Sequence, residues 1–195
     1  MKVFLFGNAK NKAMILARIG IMTALTVLAQ YLSGLLGIQL ITGSIVNMFL
    51  LLSALLTGII GGISIGIITP FIALALGLNP QVVLVPFIAL SNAALVVIFA
   101  FVIKLTKVSE QQNEFKRLAS LILSVILAAG VKFLLMFFFS RVLFPLFLAP
   151  QLVDKLSIAW GVLQLFTALI GGAITVALYY PLKRVKLAPG AKVTE

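Results

Sequence analysis

The sequence predicts an all-α membrane protein, a single six-helix transmembrane bundle over residues 1–195 with both termini cytoplasmic. Three observations lead there. Hydrophobic residues make up 63% of the chain and charged ones only 10%, whereas a soluble domain carries about 25% charged residues. Mean hydropathy is +1.26. Twelve of the fifteen Lys and Arg fall in three clusters at the ends of long apolar runs. These are Lys2, Lys10, Lys12 and Arg18; Lys104, Lys107, Lys116 and Arg117; and Lys183, Arg184, Lys186 and Lys192. Positive charge beside a span stays on the cytoplasmic side during insertion, so the clusters mark one face and fix the threading.

The first span is placed at about 13–33, closing on Gly34 and Gly37. A span needs about 20 apolar residues, or about 17 at the short limit. The uncharged stretch from about Ser44 to Leu78 is too long for one, and Gly58, Gly61, Gly62 and Gly66 puncture it. Read as one helix, it would put the Lys104–Arg117 cluster on the wrong side. Two short helices turning near Gly61–Gly62 restore a common basic face. The fourth span is expected at about 81–103, the fifth at about 118–141 and the sixth at about 157–182. The outer connections are then Leu35–Gly43, Leu78–Gln81 and about Val142–Leu156. Pro145 and Pro150 mark the last as a break. Pro80 suits a helix start. Pro70 and Pro86 fall within spans, where they free backbone carbonyls that need partners.

The net charge of +11 would suggest nucleic acid in isolation. Here the charges flank apolar spans, so topology and the lipid bilayer account for them and no nucleic-acid partner is expected. The chain has no Cys and no His, which removes disulfides, thiolate chemistry and the commonest general base and metal ligand. No cofactor or metal is expected. The apolar run after Lys12 is too long for a signal peptide and more spans follow it, so it reads as a retained helix.

Small residues Ala13, Ala17, Gly20 and Ala24 line one face of the first span at steps of four, three and four. Such a face admits close approach of another helix in lipid. Taken with the basic N-terminus, the polar-capped Thr42–Asn47 segment "TGSIVN" and a bundle of just under 200 residues, the layout resembles the substrate-binding S components of energy-coupling factor (ECF) transporters. "MTALTVLAQYLSGLLG" (Met22–Gly37) looks like that family's first helix and loop, and "TGSIVNMFLLLSALLTGIIGG" (Thr42–Gly62) like its second. The resemblance covers nearly the whole chain in layout and about the first 80 residues in wording. It implies a subunit in the plasma membrane of a prokaryote that binds one vitamin near its outer face. It also implies docking, through a small-residue face of the first helix, on a transmembrane coupling subunit driven by two ATPase subunits. Ala13-x-x-x-Ala17 and Gly20-x-x-x-Ala24 are both candidates for that face. The chain itself has no G-x-x-x-x-G-K-[ST] phosphate loop, so ATP must be used elsewhere.

Among polar groups in the apolar runs, Lys132 stands out. It lies fifteen residues beyond Arg117, roughly 22 Å along a helix. Burying a lysine at such depth costs about 2.5–3.5 kcal/mol on insertion scales. The acids are only Glu110, Glu114, Asp154 and Glu195, none of them inside a span. Lys132 is therefore a candidate counter-ion for an anionic ligand, against a reach to the interface, a bond to a broken helix's carbonyls, or a neutral lysine that donates a hydrogen bond. Arg141, nine residues on, either anchors the interface or bends over the pocket as a second positive group. Asn47, Asn92 and Gln164 are amides able to donate and accept, and equally able to glue helices together. Trp160 and Gln164 are spaced i, i+4 and so share a face near the outer end of the sixth span. Gln39 and Thr42, in the first outer loop, complete a candidate lid. Phe133, Phe137, Phe138 and Phe139 are expected to face lipid or neighbouring helices, with at most one meeting the ligand.

Positive charge without buried negative charge favours a carboxylate or phosphate. Thiamin, a cation, fits poorly, and a large pterin asks for more stacking than one Trp offers. Pantothenate is small, singly negative and rich in hydroxyl and amide groups, and the Thr42–Gly62 wording looks most like pantothenate-type S components. Folate, cobalamin and pyridoxine remain alternatives. An intramembrane enzyme would need His, Cys or paired acids. Ser124 and Ser140 lie eight residues either side of Lys132, and neither spacing puts hydroxyl and amine side by side, so no enzyme is expected. A self-sufficient secondary transporter would show internal repeats or buried acids. A structural subunit of a larger membrane complex is the remaining rival.

Overall fold

In lipid a backbone must satisfy its own polar groups, so apolar runs of this length fold as helices. The computed structural model describes residues 12–78 and 82–187, and every regular element among them is helical. Lys2, Lys10, Lys192, Pro80 and Gln81 lie outside the described residues. Helix α1 (Lys12–Gly34) ends where the sequence suggests, with Gly37 turning the chain at φ +67°. The connection is shorter than expected, because α2 (Gln39–Ala75) begins at Gln39. Gln39 and Thr42 are therefore helical rather than part of a loop.

Five helices among the described residues are long and apolar enough to cross a membrane. The 37 residues of α2 would make a straight rod of about 55 Å, far beyond a hydrocarbon core of about 30 Å. It is not straight. Gly58 has φ 87° and ψ 176°, a conformation open essentially to glycine alone. Beyond it the chain doubles back: a Cβ on Gly62 would lie 3.2 Å from the backbone of Ala54. Gln39 at the start of α2 and Gly77, two residues past its end, line one cavity. The reversal sits at Gly58 and not at Gly61–Gly62. Gly62 instead provides the bare backbone against which the two halves, 39–57 and 59–75, close.

After a 3-10 turn at Val82–Leu84 comes α3 (Val85–Leu105). Pro86 sits in its first turn, so it starts this helix rather than kinking it. Helix α4 (Glu114–Phe138) is capped by Asn113, whose Oδ1 accepts from the backbone N–H of Phe115 at 2.9 Å and Lys116 at 3.2 Å. The expected long break after Arg141 is largely helical. A π-helical turn (Phe139–Leu143) leads to α5 (Phe144–Phe147), and α6 (Pro150–Trp160) follows one extended step at Leu148 and Ala149. Pro145 and Pro150 occupy helix first turns. Gly161, at φ −95° and ψ −109°, then breaks the chain before α7 (Val162–Leu187). The expected span at 157–182 is thus the end of α6 plus α7.

The doubled α2 is the hub, packing on α1, α3 and α7, while α4 closes the bundle against α3 and α7. Leu50, Leu51, Ile65, Leu95, Phe99, Leu121 and Ala128 form the main core. A smaller cluster of Phe139, Phe144, Met136 and Leu84 lies beside the cavity, with the rings of Phe87 and Phe139 5.0 Å apart. Glycine allows the closest seam: a Cβ on Gly171 of α7 would lie 2.5 Å from the Ser44 carbonyl oxygen of α2. At the basic end Arg117 is buried, pairs with Glu114 and donates to the Gln111 carbonyl. It belongs to the structure of that end rather than to a free charge array.

Candidate functional site

A cavity of about 340 Å³ opens between the α1–α2 turn, both halves of α2, α3, α4 and the start of α7. Its depth follows from helical rise. Gln39 at the mouth and Asn47 deep inside are eight residues apart on one helix, about 12 Å. At the floor stands Lys132, 3% exposed. Its Nζ donates to Asn47 Oδ1 at 2.6 Å and to Asn92 Oδ1 at 2.7 Å. Among the described residues no carboxylate lies within ion-pair distance of it. An ammonium has three N–H donors; two go to asparagines, and Lys132 also lines the cavity.

Both asparagines are themselves held. Asn47 Nδ2 donates to Thr167 Oγ1 at 3.2 Å, and that hydroxyl donates to the Gln164 carbonyl at 3.0 Å. Asn92 Nδ2 makes a long contact, 3.4 Å, with the Gly66 carbonyl. The reason lies in the sequence. Pro70 has no N–H for the carbonyl four residues before it, which is that of Gly66. The carbonyl freed by Pro70 is met by Asn92, and Asn92 turns its oxygen to Lys132. Local helix chemistry on α2 thus sets the orientation of an amide on α3, which fixes the lysine amine of α4. The assembly presents one lysine Nζ, oriented by neutral groups, at the bottom of the cavity.

Of the sequence-derived candidates, Lys132, Asn47, Asn92, Gln39, Thr42, Gln164 and Trp160 all line this cavity. Trp160 and Gln164 reach it despite the break at Gly161, so their shared position does not come from the i, i+4 helical face. Arg141 is not among the lining residues. It is exposed on the π-helical turn, its guanidinium 5.7 Å from the Phe137 ring centroid. Nor do Phe133, Phe137, Phe138 or Phe139 line it. The sequence reading passed over Gln30 and Thr69, which do, and noted Pro70 only for its freed carbonyl, not as a lining residue. Gln30 could have been found, since it is the sole amide in α1 and stands out by the same criterion as Asn47 and Asn92.

Away from the cavity, Ala13, Ala17, Gly20 and Ala24 are all exposed. A Cβ placed on Gly20 would meet nothing within 4 Å. The bundle does not use this stripe for its own packing; α1 turns Met22 and Thr26 inward instead.

No curated protein and no solved structure gives a significant match to the chain. A family model described as "ECF transporter, substrate-specific component" matches residues 15–183. The chain belongs to that family, and it is a subunit of a membrane transporter rather than an enzyme.

Proposed function

We propose, from membership of the ECF substrate-specific components, that this chain captures a small anionic water-soluble vitamin with high affinity, pantothenate being favoured. The observation that carries this reading is the Lys132 ammonium at the cavity floor, oriented by Asn47 and Asn92 and with no protein anion beside it. An acid group supplies the charge that the bundle withholds. The volume of about 340 Å³ lies at the small end of ligand pockets, about 300–1,000 Å³. That favours pantothenate over folate, and over cobalamin most of all. Lys132, Asn47, Asn92, Gln164, Trp160, Gln39 and Thr42 form the binding site on this reading.

The two halves of α2 are separate spans, which gives six in all and puts both termini in the cytoplasm. The cavity then opens to the outside of a prokaryotic plasma membrane. The exposed stripe Ala13, Ala17, Gly20 and Ala24 docks on the coupling subunit, and two ATPase subunits supply the energy. Mass spectrometry of the small molecules that copurify with the chain tests the ligand class, and titration of pantothenate tests the residue. Lys132→Met should weaken pantothenate binding about 100-fold, in line with about 1.5–3 kcal/mol for a hydrogen bond to a charged group. Unchanged affinity, or a copurifying cation, would remove the anion reading.

A further inference from the structure

Lys132 and its asparagines account for only the floor of the cavity. Gln164 is 4% exposed and lines the cavity, yet its side-chain amide hydrogen-bonds no described residue. Its amide atoms are not sealed in protein, so they open on the cavity rather than on a partner among the described residues. Gln164 lies about one helical turn from Thr167, the hydroxyl that holds Asn47, so it stands just above the lysine floor. Gln30 of α1 lines the same cavity, half-buried, and its side chain also bonds no described residue. Two amides on two helices thus face the space above the charge.

The geometry points to a second recognition pole, in which Gln164 and Gln30 hydrogen-bond the uncharged hydroxyl or amide groups of a ligand whose acid group rests on Lys132. This rests on the anion-capture reading and adds a specificity rule to it. A carboxamide both donates and accepts, so it matches neutral polar groups and offers nothing to a second negative charge. The accepted class is a monoacid with a polar, uncharged body; a plain fatty acid and a dianion are both poor fits. Gln30 has a further consequence. Among the span-length helices α1 is the least buried, and its packing is chiefly on α2. A ligand bonded to Gln30 ties α1 directly to α4 and α7.

The test uses the full chain in nanodiscs, titrated with pantothenate, folate, pyridoxal 5′-phosphate and octanoate, with hydrogen exchange followed over residues 25–34. Pantothenate, the monoacid, should bind at least 100-fold more tightly than octanoate and than the dianions folate and pyridoxal 5′-phosphate; a dianion bound as tightly as pantothenate would overturn the specificity rule. Gln30→Leu and Gln164→Leu should each weaken pantothenate binding ten-fold or more, and that binding should slow exchange in residues 25–34 of the parent protein but not of Gln30→Leu. Gln30 is half-exposed, so its replacement leaves folding intact even if Gln164→Leu does not fold. If Gln30→Leu binds the acid within two-fold of the parent and keeps the α1 protection, the second pole is refuted while anion capture stands. If no acid binds the parent, or Lys132→Met binds it unchanged, the capture reading fails and this proposal with it.

Discussion

Asn92 joins two problems that a membrane interior makes acute, an unpaired carbonyl and an unpaired ammonium. Replacing it with Leu leaves the Gly66 carbonyl and one Lys132 proton without partners. The expected loss is about 1–3 kcal/mol for an unsatisfied buried group, read as a lower melting temperature in detergent. Pro70→Ala should restore the helical N–H to Gly66, so the double variant should recover part of that loss. Strictly additive losses in this cycle would sever the link drawn from Pro70 to Asn92. At this scale the sequence was informative about which polar residues line the cavity and silent about how they meet. Lys132, Asn47 and Asn92 stand out because each is polar in an apolar run. That the three converge is a tertiary fact, since they lie on separate helices. Of the two readings of Arg141, the exposed position on the π-helical turn, off the cavity lining, agrees with an interface anchor rather than a second positive group over the pocket.

Helices here are defined as much by where they break as by where they run. Gly58→Val should cost about 1–3 kcal/mol, the range for a residue forced into a sparsely populated backbone region. Thermal unfolding should show the drop, with Gly20→Ala, where a Cβ meets nothing within 4 Å, as an unaffected comparison. Equal stabilities would mean that the reversal does not depend on that glycine. The exposed stripe on α1 carries its own expectation. Ala24→Trp lies outside the cavity and should leave pantothenate binding as it is, while abolishing ATP-dependent uptake when the coupling module is present. Normal uptake would remove the stripe from the docking surface. Element positions were mostly readable from apolar run length and charge. The helical character of most of 142–156 was not, because prolines signal a break and a first helical turn alike, and only the tertiary setting of Pro145 and Pro150 distinguishes the two.

For the whole bundle, the expected threading can be checked without first removing any native thiol, because the chain has no Cys. Leu36→Cys should react with an impermeant maleimide from outside intact cells, and Ser109→Cys only after permeabilisation. Labelling of both from one side would overturn the six-span topology. The all-helical fold class was legible because lipid makes a backbone satisfy its own hydrogen bonds, while the threading rests on the basic inner face and is what the labelling tests. The cavity was not legible, since its walls come from helices far apart in sequence. Lys132 is held by neutral amides, so under the proposed anion capture an arriving acid would break no ion pair among the described residues. Its departure would leave the lysine without a counter-charge. Release, rather than uptake, would then be the uphill half of the cycle, and the proposed ATPase partners would act there.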